Sequence, residues 1–171
     1  MHLSARLLCG LLLLASPAAF AQASATVGSV PASARIYKGI TLTLTNPATG
    51  LSFGDIFTDA TGGTVTLSPT SVRSTTGPVL AGTGIVSAAS FDVTGKRNAT
   101  YAITLPSNGT VSLTGPVGST PMAVSTFTTS AAGTLSAAGA QSFTVGASLS
   151  VGANQTDGDY NSTFSVTVAY N

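Results

Sequence analysis

Apolar and polar side chains alternate along most of this chain, and the final stretch shows it most plainly. Phe164, Val166, Val168 and Tyr170 share one parity, and Ser165, Thr167 and Ala169 the other. Successive side chains of an extended chain point to opposite faces, so residues 163–170 are expected to form a half-buried β-strand with an apolar and a hydroxyl-bearing face. The same period recurs in residues 40–45, 51–56, 64–68, 90–93, 101–105, 110–114 and 122–127. It is longest at Phe143, Val145, Ala147, Leu149 and Val151. Turn residues punctuate the series: Asn46-Pro47 with Gly50, Gly62-Gly63, Gly95 to Asn98, and Asn108-Gly109. An Asn-Gly between two alternating runs predicts a hairpin joining 101–105 to 110–114. Ser90-Phe91-Asp92-Val93 and Ser142-Phe143-Thr144-Val145 hint at a repeat too short to establish. No segment holds a helical period. Short strands with turns every dozen residues or so predict an all-β fold, an immunoglobulin-like antiparallel β-sandwich over residues 36–171.

The first residues have a different pattern. A short basic start with Arg6, an apolar run from Leu7 to Ala15 and the small-residue site Ala19-Phe20-Ala21 read as a secretory signal peptide over residues 1–21. Residues 22–35 follow as an extended arm of small side chains, interrupted by Pro31. The expected course is export through the periplasm to the cell surface or the medium. Cleavage removes His2 and Cys9, the sole histidine and cysteine. An exported chain without cysteine must be held by packing and strand pairing alone. The cations left are Arg35, Lys38, Arg73, Lys96 and Arg97, against Asp55, Asp59, Asp92, Asp157 and Asp159. That balance provides no basic stripe for nucleic acid.

The inventory also limits chemistry. Without His or Cys, neither a Ser-His-Asp nor a Cys-His arrangement can be built, and the usual zinc ligands are missing. Glu and Trp are absent throughout. Asp55 and Asp59 are near in sequence but flank a turn, where Asp commonly serves the backbone. Asp157-Gly158-Asp159-Tyr160-Asn161 imitates the opening of a calcium loop, yet Ser162 and Val168 stand where its turn glycine and bidentate Glu belong. The expectation is a protein with no reaction, no cofactor and no metal.

Several stretches together resemble the bacterial domain of unknown function 4402. They are Leu51-Ser52-Phe53-Gly54-Asp55-Ile56, Gly63 to Pro69, Phe91 to Gly95 with Asn98 to Tyr101, Gly133 to Gly139, Phe143 to Ala147, and Gly158-x-Tyr160 with Thr167-Val168-x-Tyr170. The Leu-Ser-Phe-Gly start and the Thr-Val-x-Tyr finish are more distantly similar to spore coat protein U domains, which include archaic chaperone–usher pilins. Those pilins usually carry cysteines, which this mature chain lacks. The resemblance implies a pilin-like sandwich missing one strand, completed by the N-terminal segment of the next subunit. On that reading Ala23, Ala25 and Val27 are candidate donor-strand residues. Phe164, Val166, Val168 and Tyr170 are a candidate acceptor-groove wall. Partners would be further copies or related pilin subunits, with a periplasmic chaperone and an outer-membrane usher. The other reading is a free-standing secreted sandwich that binds a carbohydrate or protein ligand through loops such as 116–121 or 154–161.

Overall fold

A computed structural model describes residues 24–58, 60–77, 79–80 and 83–171 of the protein. The expected signal peptide, Ala23 and Asp59 lie outside the described residues. The chain divides into two units, Met1–Arg35 and Ile36–Asn171. In the first, residues 24–35 are exposed and form neither helix nor strand.

The second unit is all β, and every strand pair among its described residues is antiparallel. In chain order the strands are β1 (Thr41–Leu44), β2 (Ser52–Phe53), β3 (Ile56–Phe57), β4 (Gly63–Leu67), β5 (Arg73–Thr76), β6 (Val79–Leu80) and β7 (Val86–Ser87). They continue with β8 (Ala89–Thr94), β9 (Tyr101–Thr104), β10 (Val111–Leu113), β11 (Met122–Thr129), β12 (Ala140–Val151) and β13 (Thr167–Tyr170).

β12 is the spine. Phe143, Val145, Ala147, Leu149 and Val151 are all buried on one face, as their shared parity requires. β8 pairs with its first half, from Ala140↔Thr94 to Val145↔Ala89. β4 takes over from Ala147↔Leu67 to Val151↔Gly63. β11 runs along the opposite edge of β12, with Val124↔Leu149 and Thr129↔Val145. The changeover from β8 to β4 falls at Gly146. A Cβ there would collide with the Leu67 carbonyl oxygen and approach Pro69 N, so only glycine lets the incoming backbone lie flush. β1 and β10 complete the row β1-β8-β12-β11-β10, and β5 pairs with β4.

The outer face of this sheet carries hydroxyls that bond across strands. Ser142 Oγ donates to Asp92 Oδ1 at 2.6 Å, Thr66 and Ser148 share a 3.0 Å bond, and so do Ser130 and Thr144. The two look-alike tetrapeptides are cross-strand neighbours, Phe143 opposite Phe91 and Ser142 opposite Asp92. Their similarity reflects a shared face and a shared environment, with the two phenyl rings stacked 5.3 Å apart.

The inner face feeds two apolar clusters. The first holds Ala89, Phe91, Val93, Tyr101, Leu135, Phe143 and Val145. It is covered by the β9–β13 ladder, which runs from Thr167↔Thr104 to Tyr170↔Tyr101 and presses Ile103, Val168 and Tyr170 onto it. Tyr101 is 2% exposed, and its hydroxyl donates to Gln141 Oε1. Burial raises its pKa above the usual tyrosine value. The second cluster holds Phe53, Val65, Leu67, Val111, Met122, Val124, Ala147, Leu149 and Val151.

Three expectations need correction. The Asn108-Gly109 turn does not join a hairpin, because β9 pairs with β13 and β10 with β11. The apolar faces of β9 and β10 feed different clusters, so the chain changes layers at Pro106. Asn108 instead accepts a bond from Thr126 N at 2.7 Å, at a bulge in β11 where Thr126 has φ 50°. The 51–56 run breaks into β2 and β3 at Gly54, whose φ is 70°. Only residues 167–170 of the predicted 163–170 strand are paired.

Candidate functional site

The unpaired part of that last strand lies beside a cleft. Asn161 makes an isolated bridge to Thr114, and the β13 ladder begins at Thr167. Between them, residues 162–166 make no backbone–backbone hydrogen bond among the described residues. Their side chains nevertheless alternate as a strand's do: Phe164 and Val166 are half-buried, while Thr163 and Ser165 are exposed. Phe164 packs on both clusters and meets Phe127 at a ring separation of 5.1 Å. Residues 163–166 thus sit in strand-like alternation, with no backbone–backbone bond among the described residues and only the Thr163 carbonyl taken, by Ser162 Oγ at 3.5 Å. Peptide N–H and C=O groups are obligate hydrogen-bonding groups, so this edge is a template for another strand.

The cleft itself has a volume of about 1010 Å³. One wall is residues 47–58 and the other is residues 155–164, joined by Val166. Between them Ala89, Phe91, Met122, Leu149 and Val151 form an apolar floor. Leu44, Phe57 and Ile85 also line it, and the last two stay 65% and 61% exposed. The exposed lining of the cleft is mixed, somewhat more polar than apolar.

Polar side chains brace both walls. Asn46 donates to the Gly50 and Ala88 carbonyls at 3.1 and 3.0 Å and accepts from Ser90 N at 2.8 Å. Arg73 donates to the Phe53 and Asp55 carbonyls at 2.6 and 2.9 Å, and Thr83 Oγ1 donates to the Asp55 carboxylate at 2.5 Å. On the far side Gln155 Nε2 donates to Tyr160 Oη at 2.8 Å, and Tyr160 donates to the Thr156 carbonyl at 2.9 Å. Anchored walls over a base of buried apolar side chains, with Leu44, Phe57 and Ile85 exposed along the lining, make a preformed slot. The charged side chains that line it are Asp55, Asp157 and Asp159.

Three strands give the slot a direction. Leu44 lines it but Thr41 does not, Phe91 but not Val93, and Val166 but not Val168. At the opposite end of these strands Tyr170 Oη donates to the Lys38 carbonyl at 2.9 Å and accepts from Lys96 N at 2.6 Å. The slot therefore opens toward one pole of this unit, and residue 38 is tied at the other.

Among the residues singled out from sequence, Phe164 and Val166 line the cleft, while Val168 and Tyr170 pack on the first cluster beyond it. Ala25 and Val27 are exposed and in no strand. Asp157 and Asp159 are exposed, and no group of three or more His, Cys, Asp or Glu among the described residues could hold a metal ion. The wall 47–58 and the bracing side chains Asn46, Arg73, Gln155 and Tyr160 were not identified from sequence. The only signal for them was a dense run of turn residues beside a short alternating stretch. The groups gathered at the cleft are strand-edge peptides, buried apolar side chains at its base and carboxylates.

A scan against family models matches residues 41–170 to a domain of unknown function, DUF4402. Neither the curated proteins nor the solved structures contain a match to this chain.

Proposed function

The chain belongs to the DUF4402 family, and from that premise we propose that it is a non-enzymatic, exported structural subunit. In this reading the second unit is an immunoglobulin-like sandwich of pilin type that lacks one strand. It assembles by accepting an extended segment of another subunit into the slot. The observation that carries the proposal is the unpaired backbone of residues 162–166 beside the cleft that Phe164 and Val166 line. A β-strand laid there would satisfy peptide groups along the edge and bring alternate side chains to the cleft, whose exposed apolar lining is Leu44, Phe57 and Ile85, which is strand addition.

Polarity supports an assembly that grows. An acceptor at one pole and a chain anchored at the other make a heterologous, head-to-tail contact, and such contacts build open filaments when they do not close into a ring. The partners are further copies or related subunits. A periplasmic chaperone and an outer-membrane usher would deliver them to a fibre or matrix at the cell surface.

Sizing of the mature protein sheared from its native surface, run with and without boiling, tests this. The expected pattern is a ladder that collapses to monomer only on boiling, since the mature chain has no cysteine for a disulfide. A single monomer band in both lanes counts against assembly.

A further inference from the structure

If the slot accepts a strand, as proposed above, the structure also indicates which strand. We infer that the occupant is residues 30–36 of a second copy, with Val30, Ala32, Ala34 and Ile36 facing the floor and Arg35 facing the acidic rim. Four observations bear on this segment, and three of them separate it from residues 23–27.

Parity is the first. Val30, Ala32, Ala34 and Ile36 are four apolar residues at alternate positions, whereas the run through Ala25 and Val27 meets Ser29 at the next. Such a period is what one face of a strand needs. Backbone conformation is the second. Ser29 takes φ 63°, which ends any extended run arriving from the N-terminal side, while no residue from Val30 to Ile36 has a positive φ. Pro31 further holds Val30 in the extended region, and a proline near the start of a strand forfeits few ladder bonds. Exposure is the third and is common to both segments: Val30 is 73% and Ile36 93% exposed, and Val27 is 81% exposed.

Charge is the fourth. Among the described residues the charged side chains lining the slot are Asp55, Asp157 and Asp159, all on exposed residues, with Arg73 bonded to the Phe53 and Asp55 carbonyls of one wall. The described arm carries Arg35, with Lys38 just beyond it, and no acidic residue. Arg35 has the parity opposite to Ile36, so with Ile36 on the floor it points outward, toward the rim where the aspartates sit. Complementary charge of this kind fixes register and speeds encounter more than it adds affinity. Seven extended residues span roughly 23 Å. Just beyond the segment, Tyr37, with Lys96 Nζ 4.0 Å from its ring centroid, and Lys38, whose carbonyl accepts from Tyr170 Oη, hold the chain to the copy that donates the strand.

The test uses the full mature chain and reads the concentration at which oligomers resistant to detergent but not to boiling appear. Val30→Asp and Ile36→Asp should each raise that concentration about tenfold or more, since a carboxylate would be buried on the floor. Ala25→Asp and Val27→Asp should leave it unchanged. All four sites are exposed in the monomer, so thermal unfolding should confirm unaltered folding. Arg35→Asp should slow assembly, and combining it with Asp157→Arg and Asp159→Arg should restore the rate. If wild type assembles but the Val30 and Ile36 variants assemble equally well, the segment assignment is overturned while strand addition stands. A wild type that stays monomeric at every concentration overturns both.

Discussion

The two apolar clusters of this protein have the same floor and different roofs. Over the first, β9 and β13 pair residue for residue and lay Ile103, Val168 and Tyr170 onto Phe91, Val93 and Phe143. Over part of the second, Phe164 and Tyr160 lean in from a segment whose backbone pairs with no described neighbour, leaving the cleft between them and residues 47–58. One segment of chain, residues 162–170, forms both. The lesson is that alternation specifies which side chains turn inward, but pairing depends on a neighbour. The closed half has its neighbour within the chain, and residues 162–166 have none among the described residues.

The sharpest way to break the comparison is to damage the closed half alone. Phe143→Ala removes a ring that is buried and stacked, and should cost about 3–5 kcal/mol in denaturant unfolding. Gly146→Ala strikes the point where β12 passes from β8 to β4. It should cost about 1–3 kcal/mol by overpacking, because the atoms it meets are backbone. Unfolding of that variant by chemical denaturant checks the figure, and an unchanged midpoint would mean that the two backbones are not in close approach.

Phe164→Ala addresses the open half. With the ring half-buried, it should cost roughly 1–2 kcal/mol in the unassembled protein. It should cost more in the assembled form, where an added strand would finish the burial. An equal cost in both states would mean that Phe164 is not part of the accepting surface.

The smallest effect separates the halves by pH. Tyr101, in the closed half, has a pKa raised by burial. Below about pH 10 the hydroxyl is protonated in both folded and unfolded chains, so it gives no pH dependence. Above that, the unfolded chain ionises while the folded one holds its proton, so stability should fall as pH rises. Tyr101→Phe should remove that decline. If the slope at alkaline pH is the same in the variant, the decline has another source.

Much of the fold was legible because a one-sided sheet writes its burial into parity. Phe143 to Val151 and Phe91 with Val93 were readable for that reason, and their faces followed directly. The pairing partners were not. Asn108-Gly109 carries a hairpin signal, but whether two alternating runs pair or feed separate clusters depends on contacts far away in sequence, here β9 with β13. Phe164 and Val166 were legible as inward residues, yet nothing local distinguishes them from Val168 and Tyr170, which share their parity and have a ladder. The opposite wall was hidden for a related reason. It is held by long-range side-chain bonds from Asn46 and Arg73 to main-chain carbonyls, which leave no period in the sequence.

The central claim is that residues 162–166 are a strand edge left open for another chain. Amide hydrogen exchange on the full mature protein, comparing its monomeric and assembled fractions, tests it most directly. The account predicts fast exchange at residues 162–166 in the monomer and slow exchange in the assembly. Residues 167 and 169, whose amides face β9 in the ladder, should be slow in both. Fast exchange at 162–166 in the assembled fraction would contradict the account, because assembly would then leave this edge unpaired.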